Sequence, residues 1–355
     1  MRELNSSADP LRCYDEALAS GDTAAVTRLV HDLLTAGAEP VSVLVDVVAA
    51  AQREVGRRWQ RGEWTVAQEH AATNIAITAT KVITEHVGRY PITHGKVLVA
   101  CAEREWHALP AMIIDCALRA AGWDTTLLGA STSPFRLNQH LQDIGPDAVA
   151  VSCSVLGSLS TCRRFIEAST AAGVPVLVGG PAFGDDDVRA RALGATAWAR
   201  DAHTAITAMR SLPAVVGPAA PLPDAAAAEQ AALEVDHRRL VARMREQWSL
   251  VAAVTTAQAD NLHSVMDIAD DTLHQILHAV SAVLLTGDHR PIAETAAWVA
   301  DLIRSRGGDQ MMLTELSGVL GVALREHPLA EKLVIEHFVF HKTAPTLYGG
   351  EHEIP

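Results

Sequence analysis

The residues best placed for chemistry lie in the run Glu105-Trp106-His107-Ala108-Leu109-Pro110. A histidine can lend a neutral imidazole nitrogen to a metal, and a carboxylate two residues earlier can hold the other ring nitrogen and so fix the tautomer. A solvent-facing loop histidine is the plain alternative. Two further groups follow apolar runs later in the chain, Ser154-Val155-Leu156 and Gly179-Gly180. Upstream, Trp59 is separated by nine residues from Glu69-His70. Near the C-terminal end, Asp267, Asp270, Asp271, His274 and His278 recur at spacings that share a helical face. Together with His263 they offer hydrogen-bond donors and acceptors, and the forks of Arg304 and Arg306 suit carboxylates.

The elements that must position these groups can be read from periodicity. Apolar residues recur three and four apart from Ala24 to Leu34, Val41 to Val55 and Ala71 to Val87, after a first helix beginning near Leu11, with Asp22 and Thr65 as N-caps of the second and fourth helices. A four-helix bundle is expected over residues 1–92. From Gly95 the pattern changes to short apolar runs, Lys96 to Cys101, Asp124 to Leu128, Asp147 to Ser152 and Val176 to Val178, with a weaker run at Ala195 to Ala199. Helices near 109–121, 134–143, 158–172 and 185–193 separate them, and another follows Asp201. Continuous apolar strands alternating with helices predict a doubly wound parallel sheet of flavodoxin type over 93–212, which binds ligands beyond the C-terminal ends of its strands. His107, Ser154 and Gly179 all fall at such ends. Proline and glycine predict a linker at 213–228, and helical periodicity returns over 229–345, with breaks at Gly287 to Pro291, Gly307-Gly308 and Pro328.

Composition removes several classes of function. The chain has 355 residues, 49% of them hydrophobic, and contains no run of about 18 apolar residues, so no membrane span is expected. The segment Met1 to Pro10 lacks the charged and apolar regions of a secretory signal, which points to the cytoplasm. Five cysteines without paired metal-ligand spacing predict neither a disulfide framework nor a zinc site of cysteines. A net charge of −13 opposes direct binding to a phosphate backbone.

The Glu105-x-His107 run resembles the (Asp/Glu)-x-His-x-x-Gly motif of cobalamin-binding Rossmann domains. Ser154-Val155-Leu156 matches that family's Ser-x-Leu element, and Gly179-Gly180 its Gly-Gly element. The resemblance spans about residues 11–212. It implies that His107 ligates cobalt in place of the cofactor's own nucleotide base, and that the base is buried beside the sheet, lined by Ser154, Leu156 and the glycines. Glycine there would leave room for the tail. Pro110 stands where the motif has glycine, and removes an amide donor from that position.

A helical bundle before this module occurs in corrinoid methyl carriers and in light-sensing regulators of the CarH type. The Trp59-x9-Glu69-His70 spacing is similar to the signature of the photoreceptors, where the tryptophan packs on the adenosyl group and the glutamate contacts it. Gln60 stands where the CarH type has the histidine that captures cobalt after light, and His70 is the substitute. The implied protein is an adenosylcobalamin photoreceptor and not an enzyme. CarH-type regulators carry a DNA-binding domain before the bundle, and here only about ten residues precede the first helix. Output is therefore expected through light-dependent homo-oligomer assembly or a protein effector. Nine of the sixteen histidines and none of the five cysteines follow the linker. The domain order resembles the photocobilins, which would place biliverdin noncovalently in a C-terminal globin-like domain, with His263, His274 and His278 at its pyrroles and Arg304 and Arg306 at its propionates. A haem globin with His274, His278 or His337 as axial ligand, a pigment-free interaction domain, and a corrinoid methyl carrier are the rival expectations.

Overall fold

The computed structural model describes residues 9–255, 269–305, 308 and 310–339. His263, Asp267 and Arg306 lie outside the described residues. The chain divides into two compact units, the first ending at Pro223 and the second opening at Asp224.

The first unit begins with a bundle of four helical stretches. Helix α1 (Pro10–Ala19) and helix α2 (Thr23–Thr35) are followed by a continuous helical stretch made of α3 (Pro40–Ser42), a π-helical segment (Val43–Ala49) and α4 (Ala50–Gln60), and then by α5 (Val66–Val87). Asp22 caps α2 by accepting from the Ala25 amide at 2.8 Å. Thr65 and Gln68 cap α5 reciprocally, satisfying amides that have no partner within the helix. Val26, Val30 and Leu34, four residues apart, form one buried stripe, which meets Leu44, Val48, Val55, Ile75, Ala79 and Ile83.

Five parallel strands follow, β1 (Lys96–Cys101), β2 (Asp124–Gly129), β3 (Ala148–Ser152), β4 (Val176–Gly179) and β5 (Ala197–Ala199), in the order β2-β1-β3-β4-β5. This is the flavodoxin-type order. The helices between them are α6 (Ala108–Ala120), α7 (Pro134–Ile144), α8 (Leu159–Ala171), α9 (Val188–Ala192) and α10 (Ala202–Arg210). Every residue of β3 is buried, as a sheet covered on both faces requires.

Helix α6 belongs to two cores at once. Leu109, Ile113, Cys116 and Ala117 pack into the bundle's core, whereas Ala111 and Leu118 pack onto the sheet. His107, its N-cap residue, is therefore fixed where bundle and sheet meet.

The expected linker ends sooner than its composition suggests. Helix α11 (Asp224–Thr255) begins within the alanine run that was assigned to the linker, because alanine is the best helix former once the last proline, Pro223, is passed. The preceding segment is also pinned to the first unit. Buried Arg163 donates to the carbonyls of Leu193 (2.9 Å) and Ala220 (2.6 Å), and the Ala219 amide donates to Thr170 Oγ1 (3.1 Å).

The second unit continues with α12 (Ala269–Thr286), α13 (Arg290–Ser305), α14 (Gln310–Ala323) and α15 (Pro328–His337), and has no strand among the described residues. Its core includes Leu240, Met244 and Trp248 of α11, Leu277 of α12, Val299 of α13, Leu316 of α14 and Val334 of α15. Among the described residues no helix is long and apolar enough to cross a membrane.

Candidate functional site

The site is built around the Glu105 carboxylate, which is fully buried and anionic. One oxygen accepts from the His107 amide (2.8 Å) and lies 2.6 Å from His107 Nδ1. The other accepts from the amides of Ser154 and Val155, the latter at 3.0 Å. A single side chain thus ties the loop after β1 to the loop after β3. Burial works against the charge, yet the hydrogen bonds from the His107 side chain and backbone and from Ser154 outweigh it and hold this carboxyl below the usual carboxylate range.

His107 is 60% exposed at its side chain. The hydrogen bond to Glu105 raises its pKa; burial opposes the rise, and the charges of Glu105 and Glu69 reinforce it. With Nδ1 committed to the carboxylate, Nε2 is the nitrogen available to a metal.

The loop itself is held in an uncommon conformation. Arg104 has φ +70° and Ser131, in the loop after β2, φ +46°, a region that side chains other than glycine seldom occupy. The two loops are cross-tied: the Arg104 amide donates to Ser131 Oγ (3.1 Å), and the Ser131 amide donates to the Glu105 carbonyl (2.8 Å). Pro110 is the third residue of α6. At that position its missing amide has no partner within the helix to lose.

Ser154 and Leu156 lie on the loop after β3, Leu156 opening a short 3-10 turn (Leu156–Ser158). The Oγ atoms of Ser154 and Ser158 are buried with no hydrogen-bond partner among the described residues. An orphaned hydroxyl at the C-terminal edge of the sheet fits a polar group of a bound molecule. Gly179 and Gly180 are at the equivalent edge of β4, where the backbone itself gives a reason for glycine. A Cβ on Gly179 would lie 2.7 Å from the Ala199 carbonyl oxygen, and one on Gly180, whose φ is +103°, would lie 2.3 Å from that of Cys153. The chain's own backbone already requires glycine at both positions, before any cofactor tail is considered.

In the bundle, Trp59 is half-buried near the end of α4. Glu69, in the first turn of α5, accepts from Thr73 Oγ1 (3.0 Å), which itself accepts from Gln52 Nε2 (2.6 Å). His70 is 71% exposed, with Nε2 3.4 Å from Glu69.

Residues 95–209 match the B12 binding domain family, and residues 13–84 match a second family of the same description. The first unit carries a B12-binding module. Its cofactor class is therefore a corrinoid, and the residues present fit one: an oriented imidazole on an exposed loop beside an unpartnered buried hydroxyl. The chain aligns with the HTH-type transcriptional repressor CarH of Myxococcus xanthus at 32% identity over 160 residues, 43% of this chain and 52% of that protein. The chain thus spans about half the length of this relative. The match to the trimethylamine corrinoid protein of Methanosarcina barkeri is 23% identical and covers 55% of this chain and 93% of that one. Among solved structures, the monomethylamine corrinoid protein of the same organism aligns at 18% identity and a TM-score of 0.49, over 55% of this chain and 94% of that one.

The C-terminal candidates are brought together only in part. His274 and His278 of α12 meet His237 of α11, which the sequence reading did not single out. His337 is apart from them, its Nε2 2.8 Å from His289 Nδ1. Arg304 donates to Asp301 (2.6 Å) on the exposed surface of α13, and Asp270 pairs with Arg245 (2.9 Å). The guanidinium expected at a propionate is thus engaged by a neighbour one turn away.

Proposed function

We propose that this chain is a light-responsive regulator that binds adenosylcobalamin between its bundle and its sheet, and is not an enzyme. The observation that carries the reading is the exposed imidazole of His107 at the C-terminal edge of the sheet, held at Nδ1 by buried Glu105 so that Nε2 is left for a metal. The Trp59-x9-Glu69-His70 spacing in the bundle suits contact with an upper-face group, and the CarH alignment supports the same reading.

When bound, adenosylcobalamin supplies a weak cobalt–carbon bond that visible light breaks. The chain's own contribution is positional. His107 would hold the cobalt through Nε2, with Glu105 fixing that imidazole, and Ser154, Leu156 and the turn at Gly179-Gly180 would border the base. Trp59 and Glu69 would contact the adenosyl group. Contacts made only while that group is bound would bias bundle and sheet. His70, exposed beside Glu69, is the imidazole available to the upper face where Gln60 replaces the histidine of the CarH type. Output runs through a change in self-assembly or a protein effector.

A corrinoid methyl carrier is the second reading, favoured by the alignment over nearly the whole of a trimethylamine corrinoid protein. The biliverdin and globin-like expectations for the second unit have weaker support, since Arg304 is held by Asp301 and His274 by His237. Absorption spectra and solution mass of the chain loaded with adenosylcobalamin, before and after green light, test the proposal. Conversion in the light with a change of mass, weakened in Trp59→Ala and Glu69→Gln, is the expected result. A spectrum and mass indifferent to light, together with methyl exchange on added methylcobalamin, would establish the carrier. A far-red band on adding biliverdin would extend the sensor to a second pigment.

A further inference from the structure

The second unit contains a cluster of imidazoles that the cobalamin reading does not use. His274 and His278 stand one turn apart on α12, which puts both side chains on one face of that helix. His237 meets them from α11. One ring nitrogen from each of the three lies within 4.8 Å of the others. His237 Nε2 and His274 Nδ1 are 2.6 Å apart. The rings are close to parallel, with centroids 4.9 Å apart for His237–His274, 4.6 Å for His237–His278 and 6.3 Å for His274–His278.

We propose that His237, His274 and His278 form a binding site for one divalent transition-metal ion of the zinc class, joining α11 to α12. Imidazole nitrogen suits borderline ions such as Zn2+, Ni2+ and Cu2+, and an all-nitrogen set without carboxylate or carbonyl oxygen disfavours Mg2+ and Ca2+. Zinc bound by three histidines at ~2.0–2.1 Å in a tetrahedron would set the nitrogens roughly 3.3 Å apart. The separations present, from 2.6 Å to less than 4.8 Å, bracket that value, so small side-chain rotations close the set without moving either helix.

Protonation supports the same assignment. A 2.6 Å contact between two imidazoles requires a proton on one nitrogen and a lone pair on the other. When the ion binds, that proton moves to the far nitrogen of its own ring, both imidazoles stay neutral and offer the ion a lone pair, and His278 supplies the third. All three side chains are half-buried, which lets an ion enter and leaves a fourth position for water or an incoming ligand, the arrangement of open zinc sites. Because the helices already hold the three rings together, little ordering entropy remains to oppose binding.

The test uses the full chain, prepared without cobalamin, stripped with a chelator and titrated with Zn2+ against a chromophoric competitor. Metal content is then measured after gel filtration. One equivalent is expected to be retained, in wild type and in His107→Ala alike, which separates this site from the cobalt-binding loop. His237→Gln and His274→Gln, which keep a hydrogen-bonding side chain, are each expected to weaken binding by roughly two orders of magnitude. His274→Ala/His278→Ala should abolish the retained equivalent and the rise in Tm that zinc gives the wild type. Mg2+ at the same concentration should neither bind nor protect. The proposal is overturned if the wild type retains no zinc, or if the glutamine variants, folded by circular dichroism, retain it as tightly as the wild type. Neither outcome depends on whether the first unit senses light.

Discussion

Replacing Glu105 by glutamine removes one negative charge and converts one acceptor into a donor, at a position where four N–H groups converge. The carboxylate serves the His107 amide and Nδ1 on one oxygen and the Ser154 and Val155 amides on the other. Glutamine satisfies only one of these pairs, so two donors lose their acceptor whichever way the amide turns. At about 1–3 kcal/mol for each unsatisfied buried group, partly offset because a buried charge no longer has to be desolvated, the net cost is roughly 2–4 kcal/mol. For a unit of this size that corresponds to a Tm lower by about 5–15 °C. Corrinoid affinity should fall by about 10–100-fold, the usual effect of losing a group that orients a ligating histidine. The assay is thermal unfolding of the cobalamin-free chain together with a cobalamin titration, for Glu105→Gln, His107→Ala and the double variant. If Glu105 acts on the metal through His107, as proposed, its effect on affinity should largely vanish in the His107→Ala background. Its effect on Tm should partly survive there, since Ser154 and Val155 still need an acceptor. An unchanged Tm and affinity in Glu105→Gln would refute the reasoning.

Further predictions follow from the same geometry. The raised pKa of His107 contributes stability that is complete below the unfolded value of about 6.5 and lost as pH rises through the folded one, whereas the lowered pKa of Glu105 contributes above about 4.3 and is lost as pH falls through its folded value. The stabilising effect of this pair should therefore plateau near pH 5–6 in the cobalamin-free chain, by urea titrations of wild type against Glu105→Gln. Cobalamin affinity should run the other way, rising with pH as the imidazole loses its competing proton. Gly180→Ala forces a Cβ to within 2.3 Å of the Cys153 carbonyl oxygen at φ +103° and should cost more than about 3 kcal/mol, while Gly21→Ala, at φ +71° with open space around it, should cost about 1 kcal/mol. Similar Tm values for the two would show that the close approach after β4 is unimportant. Arg163→Ala frees the Leu193 and Ala220 carbonyls, and limited elastase digestion should then cut within 213–223 at least about tenfold faster; an unaltered cleavage rate would mean that the segment is held by something else.

The parts of this molecule that were legible in the sequence are those fixed by local rules. The alternation of apolar runs and helices gave the strand positions, and Asp22 and Thr65 announced their helices because capping depends on residues three positions away. The Glu105–His107 contact spans two residues and could be read for the same reason. The reach of Glu105 to the amides of Ser154 and Val155 could not, since it joins loops about fifty residues apart through backbone groups that every residue carries. Gly179 and Gly180 stand out in the sequence, but the close approach of the Ala199 and Cys153 carbonyls that requires them comes from strands far apart in the chain. His237 gave no local signal: a single histidine amid the acidic and basic residues of α11 acquires meaning only when α12 brings His274 and His278 to it. The early end of the linker was readable from alanine propensity, had the prolines not dominated the segment.

The π-helical turn at Val43–Ala49 amounts to a phase shift. Each residue of an α-helix advances the side-chain direction by about 100°, so a stretch wound one residue looser resets the azimuth of everything downstream by that angle without changing the axis. Rewinding residues 43–49 as regular α-helix, with none removed, would swing Trp59 about 100° from the face it now presents, whereas deleting one residue there would restore regular winding and leave that face unchanged. The aim of that tryptophan is thus set some fifteen residues upstream, in an apolar segment that carries no chemistry of its own.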